Sequence, residues 1–96
     1  MMNKSIEERY KLINKIRFNP LFSNSQKVLD WLEEKGYIET DSEVDGYNFK
    51  IIYEYYIDDK YICETSIYNY DDVLEIILNK LSIKTLEKIL KELEDN

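Results

Sequence analysis

Carboxylates are the reactive side chains that this chain supplies in quantity, whereas the other common catalytic groups are scarce. Asp and Glu together number 20, histidine is absent, and there is one cysteine. The sequence has no Gly-rich phosphate loop and no nucleophile elbow. With 2 glycines, few backbone positions allow a ligand to approach closely. The sequence therefore predicts no catalytic residue, no cofactor and a protein that is not an enzyme.

One carboxylate spacing resembles a metal loop but lacks its last ligand. The run Asp41-x-Glu43-x-Asp45-Gly46 resembles the start of an EF-hand calcium loop. The twelfth position of that loop, which should be a bidentate Glu, is Ile52. Zinc prefers thiolate and imidazole ligands, which one cysteine and no histidine cannot supply. We therefore expect no bound metal and interpret Asp45-Gly46 as a hairpin turn.

A second carboxylate pair depends on how two strands align. Glu54 and Glu64 are expected to lie directly opposite each other, on the side of the sheet away from the core. General acid–base chemistry would require a deep pocket around them, which a chain this short seldom encloses. Directly opposed like charges destabilise a sheet. A face that carries them is therefore predicted to be either loosely solvated or used to meet cations.

The strands that would position these carboxylates lie in the segment YNFKIIYEYYIDDKYICETSIYNY, residues 47–70. Its two arms hold six of the nine tyrosines. Apolar residues alternate in both arms, as in half-buried strands. We predict a three-residue turn from Asp58 to Lys60, which places Ile57 opposite Tyr61 and both residues on the core face.

The Asp45-Gly46 turn is predicted to join the first strand to the second. A two-residue turn there pairs Val44 with Tyr47 and sets Asp41 opposite Lys50. Val44, Tyr47, Phe49 and Ile51 would then share the core face. The predicted strands span about 37–44, 47–57 and 61–68.

Four helices are predicted from helical apolar spacing and from residues that favour helix ends. They span about 5–17, 24–35, 70–80 and 83–94. Ser5, Ser23, Asn69 and Ser82 are the expected N-caps, and Gly36 the expected stop. A single kinked helix over 70–94 is the alternative to the last two. The first helix is expected to bury Ile6, Tyr10, Ile13 and Ile16, and Trp31 in the second is placed at the edge of the core.

The predicted fold class is α+β: two N-terminal helices, a three-stranded antiparallel meander and two C-terminal helices, forming a single domain over residues 1–96. The sequence predicts no signal peptide, and it contains no apolar run long enough to span a bilayer. One cysteine excludes an internal disulfide, so no oxidising compartment is required. Cys63 is interpreted as a small core residue. We expect a cytoplasmic protein.

Charge is distributed unevenly along the chain. Residues 37–72 carry two basic and ten acidic side chains, a net charge of −8, while the whole chain has −7. A field of this sign repels nucleic acid and anionic membranes and attracts basic protein surfaces. The predicted partner is therefore a basic protein, in particular a nucleic-acid-binding effector. Homodimerisation remains an alternative.

The outer sheet face and the second turn are the predicted partner-binding surface. Carboxylates would steer association, and aromatic side chains, Tyr56 and Tyr68 first, would anchor the complex. The predicted partner-binding residues are Glu39, Asp41, Glu43, Glu54, Tyr56, Asp58, Asp59, Ile62, Glu64 and Tyr68.

A winged-helix transcription regulator is the alternative from another class. Two helices followed by a long hairpin resemble a recognition helix and wing over about residues 5–68. The predicted wing carries Asp58 and Asp59, and its only cations over 37–72 are Lys50 and Lys60. Phosphate binding requires several cations.

In its length, its acidic run from Glu39 through Glu64 and its Tyr-rich hairpin, the chain resembles small phage-encoded anti-defence proteins of the anti-CRISPR kind. The resemblance implies a virus-encoded inhibitor that acts in an infected host cell. Its carboxylates would stand where phosphates bind a basic effector. Immunity proteins that neutralise basic nuclease toxins share these features and are a further alternative.

Overall fold

The computed structural model of the chain describes residues 4–48, 50–65 and 69–95. Its elements are α1 (Lys4–Arg17), α2 (Ser25–Glu34), β1 (Glu39–Asp45), β2 (Lys50–Ile57), β3 (Lys60–Thr65), α3 (Tyr70–Lys80) and α4 (Ile83–Glu94). The strands form one antiparallel sheet in the order β1-β2-β3. The predicted α+β class and its element order are confirmed. None of the described helices combines the length and apolar character needed to cross a membrane.

Two of the predicted helix caps are wrong by a residue or more. The cap of α2 is Asn24 rather than Ser23, because the Asn24 side chain accepts a hydrogen bond from the Lys27 backbone N–H at 3.1 Å. Ser5 lies inside the first turn of α1. Gly36 has a φ of +84°, the left-handed conformation in which glycine commonly ends a helix, as predicted.

The C-terminal helices are separate, because the chain becomes extended at one residue between them. Leu81 has a φ of −74° and a ψ of 146°, and Ser82 caps α4 by accepting from the Thr85 backbone N–H at 3.1 Å. Asn69 caps α3 as predicted. The alternative of one kinked helix is therefore wrong.

The core is formed by one face of each helix and by the sheet surface near α3. α1 packs on α4, α2 on α3, and α3 on β3. The fully buried side chains are Ile16, Val28, Leu32, Leu74, Ile77, Leu78, Leu86 and Ile89. Ile13 is also buried, but Ile6 and Tyr10 are 60% and 69% exposed. The stripe predicted for α1 is thus wrong at those two positions, because only the C-terminal half of α1 contributes buried apolar side chains.

Trp31 lies at the edge of the core, as predicted. It is half-buried and its ring stacks on Tyr37, with centroids 6.1 Å apart, while Phe22 meets it edge-on. The Tyr37 hydroxyl donates to the Glu92 carboxylate on α4. These contacts join α2 to α4 through aromatic side chains.

The first turn of the sheet is longer than predicted. Asp45 pairs with Lys50, so four residues rather than two connect β1 to β2. The Asp45 carboxylate accepts from the Tyr47 backbone N–H at 3.0 Å and from the Asn48 side chain at 3.1 Å. These two hydrogen bonds, that from Asn48 first, lower the pKa of Asp45. They stabilise a wide loop in place of the tight Asp-Gly turn.

The longer loop shifts the register of β1 by four positions. Val44 lies opposite Ile51 rather than Tyr47, and Asp41 lies opposite Glu54 rather than Lys50. Because side chains alternate with a period of two, a shift of four leaves every residue on its predicted face. The correction therefore changes which residues are neighbours but not which face they occupy.

The second turn is shorter than predicted. Asp58 and Asp59 form a two-residue turn with φ values of 51° and 65°, so Ile57 pairs with Lys60 rather than with Tyr61. Aspartate tolerates this left-handed region better than most residues. A bulge then restores the predicted pairing of Tyr55 with Cys63.

The far end of the first hairpin extends away from the helices. We call residues 42–51 the distal hairpin. Of its described residues, Asp45 is half-buried and the others are exposed, with Val44 at 74% and Tyr47 at 95%. The prediction that Val44, Tyr47 and Ile51 are core residues is therefore wrong. Phe49 and Ser66 to Tyr68 lie outside the described residues.

Candidate partner-binding face

The sheet aligns three carboxylates in a row across its strands. Asp41 on β1 lies opposite Glu54 on β2, and Glu54 lies opposite Glu64 on β3. Glu39 and Glu43 flank Asp41 at alternate positions of β1, on the same side of the sheet. We call the surface that carries these five residues the acidic face.

Strand alternation explains why this face is separate from the core. In β2, Tyr55 is buried, and Tyr53 and Ile57 pack against the core. Residues between them point to the other side, which places Glu54 on the acidic face. Glu39, Asp41, Glu43 and Glu64 are exposed and Glu54 is half-buried. The predicted grouping of these carboxylates on the outer side of the sheet agrees with this arrangement.

The register shift is what makes the row continuous. The predicted register would have placed Lys50 beside Asp41, and that cation would have interrupted the acidic face. Lys50 instead pairs with Asp45 in the distal hairpin. Neighbouring strands lie ~4.8 Å apart and alternate residues ~6.8 Å apart. Both spacings are below the Debye length of ~8 Å at physiological salt, so the potentials of these carboxylates add.

Two tyrosines form the aromatic end of the acidic face. Tyr56 and Tyr61 are paired across β2 and β3, and their rings meet edge-on with centroids 6.0 Å apart. The Tyr56 hydroxyl donates to the Glu54 carboxylate at 2.5 Å. This hydrogen bond, some desolvation, and the charges of Glu54, Asp41 and Glu43 raise the pKa of Tyr56 to about 12. Partial desolvation and then Glu64 raise the pKa of Tyr61 as well.

The bulge in β3 corrects one predicted site residue and adds another. Ile62 was expected on the outer face, but it is half-buried and packs against the core. Tyr61 was expected in the core, but it is 54% exposed and lies beside Tyr56. The alternating pattern cannot reveal this exchange, because a bulge reverses the alternation beyond it. The one available signal is the Asp58-Asp59 pair, which suits a two-residue turn.

The remaining predicted residues lie elsewhere. Asp58 and Asp59 form the tip of the second hairpin, where Asp58 borders a cavity of about 320 Å³ that Tyr37, Lys80 and Lys88 also line. Asp58 therefore shares a cavity with cations of the helices and is not part of the carboxylate row. Tyr68, the second predicted anchor, lies outside the described residues.

The acidic face has no metal-binding arrangement in the described part of the chain. Among those residues, no group of three or more Asp, Glu or Cys side chains could hold a metal ion. Cys63 is half-buried beside the core, and burial raises the pKa of its thiol, so a smaller fraction of the thiol is present as the reactive thiolate.

Comparisons with protein-family models, with curated proteins and with solved structures found no match for this chain.

Proposed function

We propose that this protein is a non-enzymatic inhibitor that binds a basic, nucleic-acid-handling protein through its acidic face. The observation that carries the proposal is the row of Asp41, Glu54 and Glu64 across three adjacent strands, on the side of the sheet opposite the core. Carboxylates in this arrangement offer a basic channel a surface of the same sign as a phosphate backbone.

Charge would determine how fast such a complex forms. The five carboxylates of the acidic face lie within a Debye length of their neighbours, so they attract a basic surface jointly. Electrostatic steering of this kind raises association rates and weakens steeply with added salt. The association rate should therefore fall as the salt concentration increases.

Aromatic side chains would hold the complex together once it forms. Tyr56 and Tyr61 lie beside the Glu54–Glu64 part of the carboxylate row, and half-buried Ile52 lies on the other side of Glu54. Interface hot spots are enriched in tyrosine, and exposed apolar surface rimmed by charge is typical of protein-binding sites. The Tyr56–Tyr61 pair takes the place of Tyr56 and Tyr68 as the proposed anchor.

Two kinds of inhibitor have this chemistry. An anti-CRISPR-like protein would occupy the nucleic-acid channel of a defence effector, and an immunity protein would cover the active site of a nuclease toxin. Both partners are basic nucleic-acid-handling proteins that act in the cytoplasm, where we propose that this protein acts too. Identification of the captured partner separates the two.

The decisive experiment compares two double variants with the same change in net charge. Glu54→Gln with Glu64→Gln removes two charges from the acidic face, and Glu33→Gln with Glu34→Gln removes two from exposed positions of α2. Each variant and the wild type are immobilised, exposed to lysate of the native host, and the captured proteins are identified by mass spectrometry. Association rates are then measured with the purified partner.

We expect the wild type and the α2 variant to capture the same basic nucleic-acid-binding protein. The acidic-face variant should associate with it more slowly by about threefold or more at low salt. Equal association rates for the acidic-face and α2 variants, or capture of partners without a basic surface, would overturn the proposal. Retention of the protein on heparin would instead support the winged-helix alternative, since an acidic inhibitor should flow through.

A further inference from the structure

The two edges of the sheet differ in how they are protected. β3 contains the bulge beside Ile62 and packs against α3. β1 pairs with β2 over all seven of its residues without interruption, and it is the terminal strand on its side of the described sheet. Five of its residues are exposed and Thr40 and Asp45 are half-buried. β1 is therefore a regular edge strand with an open side.

One hydrogen bond shows which backbone groups face that open side. The Ser42 backbone N–H donates to the Asp41 carboxylate at 2.9 Å, so it does not point into the ladder with β2. In an antiparallel strand, every second residue directs its N–H and C=O the same way. Thr40, Ser42 and Val44 therefore present their backbone donors and acceptors to the open edge.

Of the usual protections against strand addition, β1 has only charge. Natural edge strands are commonly blocked by proline, lysine or a bulge, and β1 has none of these. It carries a carboxylate at every second position instead. Two copies paired antiparallel about Ser42 would oppose Asp41 with Glu43, and like charges opposite each other destabilise a sheet. Charge therefore disfavours a second copy and favours a cationic strand.

We propose that the edge of β1 accepts an extended basic segment of the partner protein as a fourth strand, which deepens the proposed function and rests on it. Lysine or arginine at every second residue of that segment would lie beside Glu39, Asp41 and Glu43. The intervening residues would lie beside Thr40, Ser42 and Val44, where small or β-branched side chains fit. Backbone hydrogen bonds supply affinity in this mode of recognition, and alternate side chains supply specificity.

Docking would exchange one hydrogen bond for another. A carbonyl of the incoming strand would accept from the Ser42 N–H in place of the Asp41 carboxylate. The released carboxylate would then bind a cation of the segment, so neither group is left without a partner. This exchange makes the Ser42 amide the most informative position for a test.

The test uses two peptides that differ only in their backbone. Both peptides are capped, are as long as β1 and alternate lysine with valine. The second peptide is N-methylated at every second backbone amide, along the edge that would face β1. Binding is followed by NMR titration of the protein. Methylation removes several backbone hydrogen bonds to β1, so we expect the unmethylated peptide to bind at least about tenfold more tightly. The largest shifts should occur at the amides of Thr40, Ser42 and Val44.

A pair of variants at Ser42 tests the same edge from the side of the protein. Ser42→Pro removes the outward N–H but no bond to β2, and proline is tolerated on such an edge. It should reduce the preference for the unmethylated peptide, because Thr40 and Val44 keep their outward groups, while Ser42→Ala keeps the full preference. If the proline variant fails to fold, as judged by circular dichroism, the binding of the two peptides to the wild type decides whether β1 accepts a fourth strand.

The outcomes separate this proposal from the proposed function. Equal binding of the two peptides would overturn strand addition and leave binding by charge intact. Failure of both peptides to bind, together with capture of a basic partner from lysate, would overturn strand addition alone. Failure of both peptides and of the lysate capture would overturn the proposed function as well.

Discussion

The helical half of the molecule and the distal hairpin are built from the same kinds of apolar residue but place them in opposite environments. Ile77 in α3 is fully buried, whereas Ile51 in β2 is 45% exposed. Two antiparallel strands alone bury too little apolar surface to be stable, so the distal hairpin depends on the rest of the domain. The helical half contains the packed core, and the distal hairpin beyond it is exposed.

Alternation in a strand therefore predicts which face of the sheet a residue occupies, but not whether helices bury that face. The pattern of β2 continues unchanged from Ile51 to Ile57, yet the helices pack only against the later part. A helix must lie over a face before that face becomes core. Sequence periodicity contains no information about where the helices end in space.

The largest expected effect comes from making the same truncation in both regions. Ile77→Ala should lower the free energy of unfolding by about 2–5 kcal/mol, because it leaves a cavity in a fully packed site. Ile51→Ala should lower it by less than about 1 kcal/mol, because that side chain keeps much of its contact with water. Urea unfolding followed by circular dichroism measures both values.

Similar losses of stability in the two isoleucine variants would contradict the difference in burial between the two regions. Such a result would mean that the distal hairpin packs against something in solution, for example a second copy of the chain. Light scattering at the same protein concentration would detect that copy. A monomer with a strongly destabilising Ile51→Ala would contradict the exposed position of this side chain.

A smaller effect is expected from the contact that holds α1 against the end of α3. The Arg9 guanidinium donates to the Leu81 carbonyl at 2.5 Å and to the Asn79 carbonyl at 3.3 Å. Carbonyls at a helix C-terminus lack helical partners and carry partial negative charge, so a cation there is stabilising. Arg9→Gln should lower the free energy of unfolding by about 1–2 kcal/mol.

Lys11→Gln is the matched control for this contact, since Lys11 is exposed on the same helix and loses the same charge. Its effect should lie within about 0.5 kcal/mol of zero. Equal losses in the two variants would show that the net charge of α1, and not the contact made by Arg9, stabilises the helical half.

The sequence predicted the helical half of this fold well because helix signals are local. Each helix boundary was predicted within one residue, and Ser82 was correctly predicted as the cap that begins the last helix. The two turns were less predictable. Asp45 stabilises its loop through hydrogen bonds to Tyr47 and Asn48, and no periodic pattern encodes such contacts.

The sequence predicted which face the carboxylates of the candidate site occupy, because strand alternation is also a local signal. The five carboxylates of the acidic face follow from strand alternation, which is insensitive to the register shift of four. The exchange of Tyr61 and Ile62 follows from a bulge, which is set by the geometry of the Asp58-Asp59 turn. Alternation therefore identified the charges of the face but not the aromatic partner of Tyr56.

The smallest effect compares two tyrosines whose pKa values are raised for different reasons. The pKa of Tyr55 is raised to about 12 mainly by burial, and that of Tyr56 to about 12 mainly by its hydrogen bond to Glu54. In an unfolded chain both would ionise near pH 10. Each neutral phenol therefore stabilises the fold fully below about pH 10, and that stabilisation is lost as the pH rises toward 12.

Glu54→Gln should lower the pKa of Tyr56 toward its ordinary value, because the substitution removes both the carboxylate acceptor and the nearest negative charge. Added salt should lower it too, since salt screens Asp41 and Glu43 at this exposed face. The pKa of Tyr55 should respond less to either change, because desolvation is its main cause. NMR titration of the tyrosine ring carbons, over the pH range where circular dichroism shows the fold intact, resolves the two residues. A parallel shift of both tyrosines would mean that the acidic face and the buried side of the sheet share one electrostatic environment, contrary to the separation of charge and core on which the binding proposal depends.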